Sequence, residues 1–551
     1  MLEKGKKNNL LRHRMLFAGI LCLFVFCSLA QEQKSRGGSR APRSKVYLLH
    51  SDLLRKDAVR PDAQIVVGNV KFRHDSMYMF CDSAYYYDKT GSFEAFSNVR
   101  MEQGDTLFIY GDHLFYDGYT QIARLRKNVR LENRNTQLYT DSLNYDRIAN
   151  LGYYFDGGTL MDEENVLSSD WGEYSPVTKE SVFNYNVKLL NPKFTMTSDT
   201  LHYNTMSKIA RIVGPSDILG DSTHIYSELG YYNTATGKAQ LLNRSEVTSG
   251  SRKLVADSID YDRDLGVSKA FFDVVITDTL NKNMMTCEYG YYDDRRKYSF
   301  ATDRAVAVDY SQGDSLFLHA DTLLMRSFYL GTDSMYREMQ AFHKSRFYRT
   351  DVQGVADSIV FNTKDSCLTL YRDPIVWNNN QQLLGERIHI YMNDSTIDWA
   401  HIVNQALSVE HLDSVYNQVT GKEMKAYFAN GQMRHVNVSG SVRLVYYPME
   451  KDSTLIGMNV SETSELDMFL KEQKIEKIIM RPKSTGTLYP MTQIPAGKDK
   501  LDNFVWFDYI RPMHKNDIFE WRAKKAEDQL KANVRGKAPL PNQGLFDKKK
   551  E

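Results

Sequence analysis

The 551 residues hold 70 Lys and Arg against 69 Asp and Glu, a formal net charge of +1, so no basic excess marks a nucleic-acid partner. With 35 Tyr and only 13 Pro, the composition suits a strand-rich protein and excludes a disordered one.

The chain opens on a basic segment (Lys4, Lys6, Lys7, Arg12, Arg14 against Glu3), followed by an uninterrupted apolar run over 15–29 and Ser28-Leu29-Ala30 before Gln31. Residues 1–30 read as a cleavable secretory signal. The apolar run is short of the ~20 residues that span a bilayer, which makes an uncleaved anchor the weaker reading. Neither Cys22 nor Cys27 follows a usual lipoprotein pattern. Export leaves Cys81, Cys287 and Cys367 in the chain, and an odd number argues against a disulfide framework. Cys81 and Cys287 read as buried small residues. Residues 31–45, rich in Gly, Ser and basic groups, read as a flexible leader, and 46–62 as a lead-in strand and turn.

From there one pattern recurs. An acid stands at Asp82, Asp112, Asp141, Asp170, Asp199, Glu228, Asp257, Glu288, Asp321, Asp357 and Glu386, at steps of 30, 29, 29, 29, 29, 29, 31, 33, 36 and 29. The residue before it is small or a cysteine each time. Two residues after it comes an aliphatic, alanine or glycine: Leu114, Leu143, Gly172, Leu201, Gly230, Ile259, Gly290, Leu323, Ile359 and Ile388 follow Ala84. Four residues after it comes Tyr, from Tyr86 to Tyr292, then Met325, Phe361 and Ile390. A fixed period of this length means a stacked array. Positions 0, +2 and +4 share one face of a strand, and no helical spacing competes. A second strand signal precedes most anchors, as in Asn98-Val99, Asn128-Val129 and Asn186-Val187, with turn formers such as Asp117-Gly118 between. The array runs over 46–400, with insertions such as 329–349 in its later units.

A related pattern covers 401–520. Residues 424–433 are two alternating strands about Asn430-Gly431, a strong hairpin signal, and shifts of 42 and 36 carry it onto 466–475 and 388–397. This region reads as a diverged hairpin continuation or cap of the stack. Beyond Phe519 a polar stretch reads as a frayed helix, and 521–551 as a disordered tail.

Chemistry-bearing motifs are scarce. Asp257, Asp260, Asp262 and Asp264 resemble the start of a calcium loop, but its Gly and Glu places hold Leu265 and Phe271. An acid in every unit reads more simply as capping turns and keeping strand ends polar. The histidines form no zinc pair, and there is no nucleophile elbow, phosphate loop or nucleotide fingerprint. No cofactor or metal is expected, and the chain reads as a non-enzyme. The aromatic and aliphatic stripe is either a filled core or an open apolar trough; an alternation of Leu or Ile with Gly at +2 would leave room for acyl chains, at ~0.8 kcal/mol per buried CH₂.

The units at 68–86 (GNVKF…DSAYY), 98–117 (NVRM…GDHLFYD) and 128–146 (NVRL…TDSLNYD) resemble the OstA-like family, the periplasmic lipopolysaccharide-transport proteins that include LptA. The resemblance covers roughly 46–400. It implies an all-β, elongated jellyroll with an apolar interior that shields lipid A acyl chains, and jellyroll partners at the inner and outer membranes recruited by strand addition. This chain is far longer than the single-domain bridge protein, carries the hairpin-rich extension, and lacks the strands of an outer-membrane barrel. At one strand layer of ~4.8 Å per unit, the eleven units would rise about 50 Å. On this reading the groove is lined by Leu114, Tyr116, Leu143, Tyr145, Leu201, Tyr203, Ile259, Tyr261 and Leu323. The alternatives are a structural β-solenoid scaffold of the cell envelope and a carbohydrate-active β-helix enzyme.

Overall fold

The computed structural model describes residues 45–525, apart from 312, 394–395, 430–431, 451–453 and 472–473. The stretches expected to be a secretory signal, nearly all of the expected leader, and the residues beyond 525 lie outside the described residues. Within them are 36 strands and three short 3-10 turns, and the assigned pairings are antiparallel. The all-β class expected from the repeat is what the chain adopts. Contacts divide it into two units, residues 1–105 with 113–121, and residues 106–112 with 122–551.

A repeat folds as two long bent strands, or as the same path broken into short strands at the bend (as over 151–174), and the bend is the acid anchor. Strand Glu180–Asn191 pairs with Phe194–Asn204 in a register where Asn184 faces Thr200 and Val187 faces Ser198. Tyr185 and Asn186 therefore oppose Asp199 alone, a bulge that kinks the strand. Both bulge residues are left-handed, with φ of 65° and 52°. The alternation of buried side chains changes phase there: Met196 and Ser198 are buried on one side of Asp199, Leu201 and Tyr203 on the other. The bend thus gives each strand two arms whose apolar faces share one interior. The same pair of left-handed residues recurs at Ser97-Asn98, Lys127-Asn128, Asn243-Arg244 and Phe272-Asp273.

This overturns three expectations. The Asn-Val signals are not separate strands; their asparagines are the left-handed bulge residues, a conformation Asn tolerates better than most. The acids do not cap turns or strand ends. They sit at the bend, within a long strand (Asp82, Asp112) or in the break between two short ones (Asp170, Glu386), and accept hydrogen bonds from the bulge of the next strand: Asn98 to Asp82 (2.7 Å), Asn128 to Asp112 (2.6 Å), Asn186 to Asp170 (2.7 Å) and Asn404 to Glu386 (3.0 Å). The rise per repeat is also two strand layers rather than one, or about 10 Å.

In the later chain the three hairpins appear as long strand pairs, Arg387–Asn393 with Thr396–Leu412, Val415–Ala429 with Gln432–Tyr446, and Gly457–Lys471 with Lys474–Arg481. A strap without regular strands then runs back over the earlier strands. Gly385 precedes the bend acid and faces inward, so Leu384 faces outward, and its cross-strand partners Ile375 and Leu407 share that outer face. Leu501, Phe507 and Ile510 of the strap bury this face together with Trp377, Val409 and Met458. Its hydrogen bonds are specific: Gln382 donates to Val505 O (2.9 Å), while Gln382 Oε1 accepts from Phe507 N (2.8 Å) and Gln418 Oε1 from Leu501 N (2.9 Å). Farther along, Ile518 packs on Val306 and Val308. Residues 520–525 carry no helix, contrary to expectation.

Candidate functional site: the apolar interior and its tyrosine seam

The interior is built one residue per strand. Across the second unit the cross-strand row Ala123, Tyr145, Gly152, Tyr174, Ser181, Tyr203, Ala210, Tyr232, Ala239, Tyr261, Ser268 and Tyr292 runs unbroken through the pairings. A ring alternates with a side chain too small to compete with it. The small residues from Ala123 to Ser268 themselves recur every 29 positions, a signal the sequence reading passed over.

These tyrosines turn their rings inward; Tyr174, Tyr203 and Tyr292 reach a side chain of the opposite arm, while Tyr145 meets Asn150 (3.4 Å) and Tyr232 meets Arg263 in turns of their own arm. Tyr174 donates to Asn133 Oδ1 (3.1 Å). Tyr203 donates to Asp162 Oδ2 (2.6 Å), accepts from Asn165 (3.0 Å), and Lys208 completes the cluster 3.1 Å from the same carboxylate oxygen. Tyr232 accepts from Arg263 (3.2 Å) and Tyr292 from Arg252 (3.5 Å). In the first unit Tyr116 shares a 2.5 Å hydrogen bond with His74. The hydroxyls therefore close the interior with a buried polar seam, since an unpaired hydroxyl at that depth would be costly. Burial pushes the Tyr145 and Tyr232 phenols up to about 12, and burial with the Asp162 charge drives Tyr203 higher still.

Of the nine residues expected to line a groove, eight are buried: Leu114 and Tyr116 in the first unit, five along the seam of the second, and Leu323 beyond the seam's end. Leu114, Tyr116, Leu143, Tyr145, Leu201, Tyr203 and Ile259 are 0% exposed and Leu323 is buried, while Tyr261 is half-buried. Nor do the +2 glycines all leave room: a Cβ on Gly172 would lie 2.5 Å from the Tyr154 hydroxyl, and one on Gly230 would lie 2.6 Å from the Gln240 carbonyl. Gly290 alone of the three has ordinary clearance, 3.6 Å from Cys287 Sγ. Cys81, Cys287 and Cys367 are buried and unpaired.

The seam ends where the sequence changes. After Tyr292 the same row continues through Ser299, Met325, Met339, Phe361, Leu368 and Ile390. Apart from Ser299, whose side chain is too short to reach across, these side chains have no hydroxyl. Met325, Phe361, Leu368 and Ile390 are half-buried, and Met339 is 44% exposed. An apolar strip along one inner arm therefore meets solvent from Met325 to Ile390, and continues through Ala400, Ala426, Val436 and Met468. The sequence reading noted the change from Tyr to Met325, Phe361 and Ile390 but gave it no role. Among the described residues no group of His, Cys, Asp and Glu is arranged to hold a metal ion, and no helix is long and apolar enough to cross a membrane.

Residues 43–199, under a third of the chain, match the family model described as OstA-like protein. Among solved structures the chain is similar to LptH of Pseudomonas aeruginosa, described as the LptA-homologous periplasmic component of the lipopolysaccharide transport device. That likeness has 17% identity and a TM-score of 0.18, and covers 22% of this chain and 82% of LptH. No curated protein matches significantly. Residues 43–199, which carry the first of the repeated acid and tyrosine motifs, are therefore similar to the OstA-like family.

Proposed function

We propose that the protein is an exported, non-enzymatic lipopolysaccharide-transport protein of the periplasm that shields acyl chains in its apolar interior. The observation that carries this reading is the change along the tyrosine row. Where the +4 residue is Tyr, a hydrogen-bonded seam seals the interior; where it is Met325, Phe361 or Ile390, apolar side chains are left partly open to solvent. Acyl chains would be received along that open strip, since each CH₂ removed from water contributes ~0.8 kcal/mol. Passage beside Leu201 or Tyr203 would require the seam to part. Jellyroll partners would add strands at the exposed edges of the stack.

A ligand-free structural scaffold is the second reading, favoured by the filled interior from Leu143 to Tyr232. Delipidated protein separates the two. Added lipopolysaccharide raises the melting temperature of a carrier, because it binds the folded chain alone. A scaffold shows neither binding nor a shift, and that result would remove the transport reading.

A further inference from the structure

The outer face beneath the strap holds a buried cation, Arg346, with no acid in ion-pair contact among the described residues. Ser345 pairs with Ala356, the inward residue before Asp357, so Arg346 points outward, level with its cross-strand neighbours His319 and Val355. The strap covers it: the Trp521 ring lies 5.5 Å from the guanidinium carbon, and Arg346 is 3% exposed. Its Nε and Nη1 find no hydrogen-bond acceptor, and among the described residues no carboxylate makes an ion pair with it. Elsewhere the buried side of an ion pair is matched, as Asp278 is by Arg252 at 3.1 Å and Asp162 by Lys208.

The surroundings carry further cations, with Asp508 acting on Arg511 and Asp373 on Lys524. Arg511 places Nε and Nη2 2.8 and 2.6 Å from Gln353 Oε1, on the strand next to Arg346. Arg304 stacks 4.7 Å from Phe519, whose other neighbour is the His319 ring at 4.9 Å. His319 spends Nδ1 on the Ala305 carbonyl. Lys524 donates to the Asp373 carbonyl at 3.1 Å. Of the acids, Asp517 and Glu520 are engaged by Arg522, and the charge of Asp321, exposed at the bend, acts on Arg346 without coming within ion-pair distance.

We propose that Arg346, roofed by Trp521 and flanked by Arg511, is the floor of a binding site for a phosphate group. A guanidinium shut away from water with idle N–H donors is what a phosphate oxygen satisfies, and the charge-assisted bonds formed there are the strong ones. A buried cation without such a partner is otherwise strongly unfavourable. The face is separate from the apolar interior, so the site stands whether or not that interior carries lipid. The phosphate can come from free inorganic phosphate or from a lipid headgroup.

Inorganic phosphate is titrated into the full-length protein against sodium chloride at matched ionic strength, with melting temperature and Trp521 fluorescence as readouts. Short-chain phosphatidic acid below its micelle concentration forms a second arm. Phosphate raises the melting temperature of the wild type and shifts a fluorescence signal that is missing in Trp521→Phe, and Arg346→Gln weakens binding at least tenfold. Tighter binding of phosphatidic acid than of phosphate, lost in the same variant, assigns the site to a headgroup; equal binding assigns it to the free ion. Should Arg346→Gln fail to fold, the wild-type fluorescence titration still decides. No response to either probe, or equal binding by wild type and Arg346→Gln, overturns the proposal.

Discussion

At the scale of single residues, one hydroxyl per repeat closes the interior. Tyr203 is the best-buttressed case, because its hydroxyl meets both Asp162 and Asn165. Tyr203→Phe leaves the buried carboxylate with one donor fewer and is expected to lower stability by about 1–3 kcal/mol, read from the denaturant midpoint. The phenols also set an alkaline limit. Folded and unfolded chains both keep the proton below the ordinary value of 10, but between 10 and about 12 only the folded chain holds it at Tyr145 and Tyr232. Stability is therefore flat up to pH 10 and falls as pH rises toward 12, because the native state binds more protons there. Tyr145→Phe with Tyr232→Phe should flatten that fall; an unchanged slope would mean other groups control it. The tyrosines were legible in the sequence as a register mark. Their hydrogen-bond partners were not, since Asn133 and Asp162 lie 41 residues upstream of Tyr174 and Tyr203 and belong to the other arm. A period of 29 does not announce a contact at 41.

At the scale of elements, the bent strand depends on two left-handed residues facing one acid. Asn186, at φ 52° and hydrogen-bonded to Asp170, supplies both the conformation and the contact. Asn186→Ala is expected to cost about 1–2 kcal/mol, and Asn186→Gly less, because Gly takes the left-handed region freely. Equal losses would place the energy in the side-chain bond alone. Gly172→Ala should be worse tolerated than Gly290→Ala, since only the former meets a ring within 3 Å. Strands and register were readable because the face alternation has period two. The bend was not, because an Asn before a Val looks the same whether it begins a strand or kinks one. Reading it as a beginning also halved the rise per repeat.

At the scale of whole assemblies of strands, the sealed and unsealed stretches and the strap divide the labour. Removing residues 494–551 would bare Trp377, Leu407, Val409 and Met458, so the truncated chain is expected to bind hydrophobic dyes and lose solubility. A well-behaved truncation would show that the strap is dispensable to folding. The hairpins of this region were legible from their turn signals; the strap was not, because a chain without periodicity gives no sign of what it covers. The transport reading itself rests on the open strip, and site-specific photo-crosslinking in living cells tests it most directly. A crosslinker at Phe361, within the strip, is expected to capture lipopolysaccharide strongly, one at the sealed Leu201 less, and one at Met206, exposed in a turn, not at all. No capture from Phe361, or capture from Met206 alone, would contradict it.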